Sequence, residues 1–314
     1  MTRLLTTTAL LGAMALGLPN FAFAADDIFT SPDGAFSVYG GVGLAYIKAE
    51  EFVYDGSHKL SQLDWESKGM TLYTLGADAQ IDKNWKVRAA FNVGTGGNGH
   101  MVDYDWMDYG ISDWTDRSIH PDTELDHYFS GSIEVDRGIY ENETTSFDVG
   151  AGFRYTDVKW TAYGGSYIYS GGGFRDTVGS FPDGERGISY QQKIPVGFLA
   201  VNGSHTIGAL TLSGGLQGGL SFGIDDIDDH WMRDLRFYDS MKIAPMLGAN
   251  ITANYQISQM ASLFVTGSFE KVFHERGDMK IVDTTGASAD SHSSDSAGAT
   301  YQAMSISFGL KGTF

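Results

Sequence analysis

The chain has 314 residues with 41 Gly, 16 Tyr, 19 Phe, 6 Trp and no Cys, and only 19% of its residues are charged. Aromatic side chains at 13% supply more apolar area than a disordered, solvating tail carries, and the lack of cysteine excludes disulfide frameworks, thiolate metal sites and cysteine nucleophiles. A balance of 39 acids against 21 bases, net −18, repels nucleic-acid phosphates and suits a basic partner.

Residues 1–24 read as an export signal. Arg3 supplies the positive start, Ala9 to Leu18 is an apolar run too short to cross a bilayer, and Ala22-Phe23-Ala24 offers the small residues that a signal peptidase needs. A buried helix or membrane anchor is the competing reading, and Pro19 and the shortness of the run count against it. Cleavage after Ala24 leaves one domain, residues 25–314, whose net charge is −19 because Arg3 departs with the leader.

Beyond residue 25 the hydrophobic period is two, not 3.6. Phe36, Val38, Val42, Leu44 and Tyr46 fall on one face of a first strand; Val87, Ala89, Phe91 and Val93 repeat the pattern, as do Phe147, Val149, Ala151, Phe153 and Tyr155. At the end of the chain Met304, Ile306, Phe308, Leu310 and Phe314 oppose Ser305, Ser307, Gly309, Lys311 and Thr313. Turn clusters such as Asp82-Lys83-Asn84 and Glu141-Asn142-Glu143 separate the strands. A soluble β-sandwich or barrel with a dry core could use such strands, and so could a membrane barrel with an apolar exterior. Tyr and Trp near strand ends, short polar turns alternating with long acidic loops, and the closing Phe314 predict an all-β, transmembrane, antiparallel up-and-down β-barrel.

Two acidic stretches carry candidate chemistry. Met101 to Asp126 holds eight acids and one base, Arg117. On a strand, Asp103 and Asp105 project inward side by side while Val102, Tyr104 and Trp106 point outward. Two such carboxylates repel, so one keeps its proton above the ordinary range, and a coupled pair can hold a water and exchange a proton. A solvated acidic loop or weak calcium site is the plainer account of Asp-x-Asp. In Asp225 to Asp239, Asp226, Asp228 and His230 share one face. An Asp two residues from a His can take its ring N–H and leave the other nitrogen as a base, although the same two side chains could ligate a metal.

The segments SQLDW (61–65), GGNGHMVDYDWMD (96–108), DWTDRSIHPDT (113–123), GGSYIYS (164–170), GFRD (173–176) and GSFPDGERGISY (179–190) occur in the order and context of the omptins, the outer-membrane endopeptidases of Gram-negative bacteria, which the whole mature chain resembles. The resemblance implies a ten-stranded barrel rising above the outer leaflet, with its active site in a groove at the outer mouth facing the exterior. It also implies a catalytic unit of Asp103, Asp105, Asp228 and His230 acting through water, with no acyl-enzyme, no metal and no cofactor.

By the same resemblance Glu51 and Asp226 line the pocket for a basic side chain next to the scissile bond, and basic peptides or proteins, above all dibasic sites, are the expected substrates. Before SQLDW the chain is shorter than the family pattern, and Ile224 stands where a small polar residue is expected. Lipopolysaccharide and outer-membrane lipid are the implied partners. In GFRYTDVKW, however, Asp157 stands where a phosphate-binding Arg is expected and Tyr155 replaces an acid, while Lys193 keeps one expected cation. Ser118 and His120 invite a serine-hydrolase reading, against which Ser118 is a loop hydroxyl serving the backbone. A non-catalytic barrel, porin or adhesin, is the alternative to the endopeptidase.

Overall fold

A computed structural model describes residues 36–314; the leader and its cleavage after Ala24 lie outside the described residues. The chain runs through β1 (Phe36–Asp55), β2 (His58–Gln80), β3 (Trp85–Thr95), β4 (Asn98–Asp105), β5 (Asp116–Glu141), β6 (Thr145–Tyr163), β7 (Ser166–Tyr169), β8 (Thr177–Ser180), β9 (Arg186–Ile207), β10 (Leu210–Ser221), β11 (Asp225–His230), β12 (Leu235–Met241), β13 (Ala244–Ser258), β14 (Ala261–Asp283) and β15 (Ser291–Thr313). Every ladder is antiparallel, and β15 pairs with β1 from Ser37↔Thr313 to Val53↔Ala297, which closes the sheet on itself. Three pairs of strands, β3–β4, β10–β11 and β12–β13, are each one wall span interrupted by a short break. Counted so, the wall has the ten spans that the omptin resemblance implies, and β7 and β8 form a separate hairpin on the edge of β5. The β3–β4 break needs glycine: Gly97 has φ 96°, and a Cβ there would stand 3.0 Å from the Met70 nitrogen.

The period-two pattern sorts the wall. Leu44 is 56% exposed and Phe308 62% exposed, and Ile306, Leu199, Leu216 and Ile251 point the same way, so the exterior carries an apolar belt. A belt of this extent in a closed barrel faces lipid. Higher on β1 and β2 the outward residues change to Lys48, Glu50 and Asp64, tied by ion pairs of 2.9 and 3.1 Å, so the barrel stands above the lipid there. Inside the belt the lumen is filled with polar side chains. Arg88 Nε lies 3.1 Å from Asp136 Oδ2, Lys86 Nζ is 3.1 Å from Asp148, and Asn202 donates to Glu134 at 2.7 Å. Packing of this kind leaves no room for an open pore and argues against a porin.

One expectation needs correction. The two acidic stretches are not mainly loop. Residues 98–105 and 116–126 lie in β4 and β5, leaving only 106–115 between them, and 225–230 and 235–239 are strands joined by a short 3-10 turn, Trp231–Arg233. Acid-rich sequence reads as loop because buried strands seldom carry charge. Here the inward side of the strand tops lines a polar mouth, and outward Asp229 is neutralised by Arg236 Nε at 2.5 Å.

Candidate active site

The mouth brings five inward side chains together from four strands. On β1, Glu51 is 1% exposed; on β11, Asp226 and Asp228 are 3% and 2% exposed; on β12, Asp239 is 3% exposed; and β4 supplies Asp103. Glu51 is held well above the usual carboxylate range, first by burial and then by the charges of Asp228, Asp226, Asp239 and Asp103. Those influences put the acids from all four strands in one electrostatic neighbourhood. Burial followed by Asp239 raises Asp226 well above its ordinary value.

Asp103 and Asp105 hang from adjacent inward positions of β4, which lies between β2 and β5. Ser61 Oγ donates to Asp103 Oδ1 at 3.0 Å, so β2 fixes the orientation of the pair. Burial, then Asp105, lifts Asp103 well above its ordinary value, and burial lifts Asp105 to about 6 despite the Ser61 hydroxyl, His230 and Arg233. Burial and mutual repulsion thus favour a proton shared by the pair. Tyr169 of β7 feels the same charges: burial, Asp103 and Asp105 push its hydroxyl up to about 12.

Facing them, the β11 alternation puts Asp228 and His230 on the same inward side. His230 Nε2 and Asp228 Oδ2 are 2.6 Å apart, a charge-assisted geometry that sets the ring. The second ring nitrogen, Nδ1, has only the exposed Arg233 Nη1 at 3.4 Å, a weak contact that leaves its lone pair accessible. Trp231 Nε1 donates to Ser189 Oγ at 2.8 Å and pins the turn beyond His230 to β9. Asp226 Oδ2 accepts the Tyr190 hydroxyl at 2.7 Å; Tyr190 itself is fully buried and stacked 5.6 Å from Trp65.

All six residues expected from the sequence, Glu51, Asp103, Asp105, Asp226, Asp228 and His230, thus meet at the mouth. Sequence reasoning missed Ser61, Tyr169, Tyr190 and Asp239. Only Asp239 left a trace, as an acid in the inward register of Phe237 and Met241.

Ser118 corrects another expectation, because it sits in β5 and not in a loop, opposite Asp103, with Oγ 2.9 Å from His120 Nε2. His120 is stacked on Phe181, and burial holds its imidazole below the ordinary range. On the outer wall Asp157 takes His127 Nε2 at 2.8 Å and Gln191 Nε2 at 2.7 Å, with Lys193 as its ladder partner on β9. Arg154 is lost to that surface, since it turns into the lumen to Glu270 and Gln217. Among the described residues no three His, Asp or Glu side chains are placed to hold a metal ion.

The Omptin family model matches residues 33–314. The chain belongs to the omptin family. It is 30% identical to the "Plasminogen activator" of Yersinia pestis over 295 residues, covering 90% of this chain and 91% of that one. To "Protease 7" of Escherichia coli strain K12 it is 30% identical over 281 residues, covering 85% and 86%. The crystal structure of the outer membrane protease OmpT from Escherichia coli superposes with a TM-score of 0.86 at 28% identity, covering 91% of this chain and 98% of that one. This omptin is accordingly an outer-membrane β-barrel, its apolar belt set in the lipid.

Proposed function

We propose that this omptin-family protease cleaves peptide bonds next to basic residues, dibasic sites above all, with a water activated between the Asp228–His230 pair and the Asp103–Asp105 pair. The observation that carries the reading is the 2.6 Å Asp228–His230 contact on a wall whose charges reach both β4 carboxyls. His230 Nδ1 takes a proton from the water as its oxygen attacks the carbonyl carbon. Asp228 stabilises the imidazolium through the opposite N–H. The protonated member of the Asp103–Asp105 pair donates a hydrogen bond to the developing oxyanion, and its ionised partner orients the water. As the tetrahedral intermediate collapses, His230 returns the proton to the leaving amine. No bond to the protein forms, so Ser118 needs no part.

Glu51 and Asp226 receive the substrate cation, whose charge relieves the repulsion among the buried acids. We extend the reading to lipopolysaccharide as an activating partner, bound through outer-wall cations such as Lys193; Asp157, engaged by His127 and Gln191, offers a phosphate nothing.

The test is cleavage of an Arg-Arg peptide and its Ala-Ala counterpart by the refolded barrel, with and without lipopolysaccharide. The expected outcome is cleavage of Arg-Arg alone, stimulated by the lipid, and its loss in Asp103→Ala, Asp105→Ala, Asp228→Ala and His230→Ala barrels that still migrate as folded in SDS. Equal cleavage of both peptides, or full activity in any of the four variants, would overturn the proposal.

A further inference from the structure

We propose that Asp239 is a specificity-determining residue of this protease, a third carboxylate in the pocket of Glu51 and Asp226 whose two oxygens take the N–H fork of an arginine immediately before the scissile bond. The inference rests on the basic-residue reading above and deepens it.

The β11–β12 ladder sets Asp239 directly across from Asp226, both side chains inward. The two acids differ in how they are satisfied. Asp226 has the Tyr190 hydroxyl on Oδ2, whereas both Asp239 oxygens are buried without a hydrogen-bond partner, as is Glu51 Oε2 beside them. Among the described residues no basic side chain makes an ion pair with Asp239; its ladder partner on β14 is Met279.

A buried carboxyl with no protein donor on either oxygen is costly, so its donors must come from water or from a ligand. Burial and the Asp228 charge push Asp239 up to about 8, so in the empty pocket the group waits neutral. Two cross-strand acids and Glu51 then face one small volume whose free acceptors outnumber its donors. Only a multiply donating cation reverses that balance. Among the described residues no three acidic or imidazole side chains are placed for a metal ion, so an organic cation is the match.

The incoming cation displaces the Asp239 proton to solvent, and of the two basic side chains the resulting carboxylate selects the guanidinium. Its planar fork gives two parallel N–H bonds to the two Asp239 oxygens and keeps further N–H groups for Glu51. An ammonium is a point charge on a flexible stem and cannot engage both oxygens with the same directionality.

The experiment uses the full refolded barrel with lipopolysaccharide and three peptides that differ only in the residue before the scissile bond: arginine, lysine or the neutral isostere citrulline. The unmodified protein should prefer arginine to lysine and both to citrulline. In Asp239→Asn, kcat/KM for the arginine peptide should fall roughly ten- to hundredfold, mainly through KM, while lysine loses less and citrulline is unchanged. Asp239→Ser, smaller and equally neutral, should do the same and carries the test should the Asn variant not fold. A parallel measurement needs no variant: butylguanidine should compete against the arginine peptide roughly tenfold better than butylamine. An equal loss on all three peptides, an unchanged arginine-to-lysine ratio, or equal inhibition by the two cations overturns the role of Asp239. Failure of the unmodified protein to distinguish arginine from citrulline sinks the basic-residue reading itself, a different result.

Discussion

Asp228→Asn removes one charge and almost no volume, which makes it the sharpest probe of the proposed base. The Asp228 carboxylate is 2% exposed and its Oδ2 lies 2.6 Å from His230 Nε2. With the charge centres about 4 Å apart and an effective dielectric near 20, the attraction between Asp228 and an imidazolium is about 4 kcal/mol. That attraction exists only once His230 has taken the water's proton, so it lowers the barrier and not the ground state. At about 1.4 kcal/mol per tenfold, kcat should fall roughly a thousandfold. KM should change little, because the Asn side chain keeps the pocket's shape and eases the repulsion on Glu51. The assay is steady-state cleavage of a quenched Arg-Arg peptide, paired with heat-modifiable migration in SDS as proof of the closed barrel. A folded Asp228→Asn protein within tenfold of the parent kcat would mean that the imidazolium is not formed at His230, and the water mechanism would have to be abandoned.

Three other outcomes follow from the site. Ser118→Ala should keep most of the activity, since its hydroxyl serves His120 and not the scissile carbonyl; a loss as deep as that of His230→Ala in the same peptide assay would restore a nucleophilic mechanism. EDTA should leave cleavage intact once the barrel is folded in lipid, and loss reversed by added zinc or calcium would point to a metal instead. For stability, the folded-state value of Asp239, raised from 3.8 to about 8, means that the folded chain holds a proton the unfolded chain releases. The resulting stabilisation is fully present below about pH 4 and is gone once pH has risen through about 8, so the temperature at which the barrel opens in SDS should drop between pH 4 and 8, and Asp239→Asn should flatten that slope.

Much of the wall was legible because lipid and lumen impose opposite demands on successive residues, and Met304 to Leu310 record both. The catalytic candidates were legible for the same reason: Asp103 with Asp105, and Asp228 with His230, are neighbours at i and i+2, a relation that strand geometry alone turns into contact. Asp239, Tyr190 and Ser61 were not, because each meets its partner through a register between strands, and registers are decided by the whole closed ladder. The expectation of long acidic loops, which residues 116–126 overturn, came from treating charge as a mark of solvent. At this mouth the carboxylates face inward on rigid strands, and burial is what raises their affinity for a proton.

The ladder that joins β1 to β15 also sets how the molecule must come into being. Each other seam between neighbouring wall spans links segments that are consecutive along the chain, whereas this one joins Ser37 to Thr313, and the Phe36 amide reaches the carbonyl of Phe314 itself. Loop-closure entropy grows only as the logarithm of length, so bringing these ends together costs about 0.6 kcal/mol more than closing half the chain. Timing is the greater constraint. Until the last strand has been delivered, β1 keeps one side without its neighbour, a row of bare amides and carbonyls that lipid cannot solvate and other chains can pair with. An intermediate inserted strand by strand would therefore carry that seam bare, and deletion of the whole of β15 should prevent closure outright instead of yielding a slightly smaller barrel.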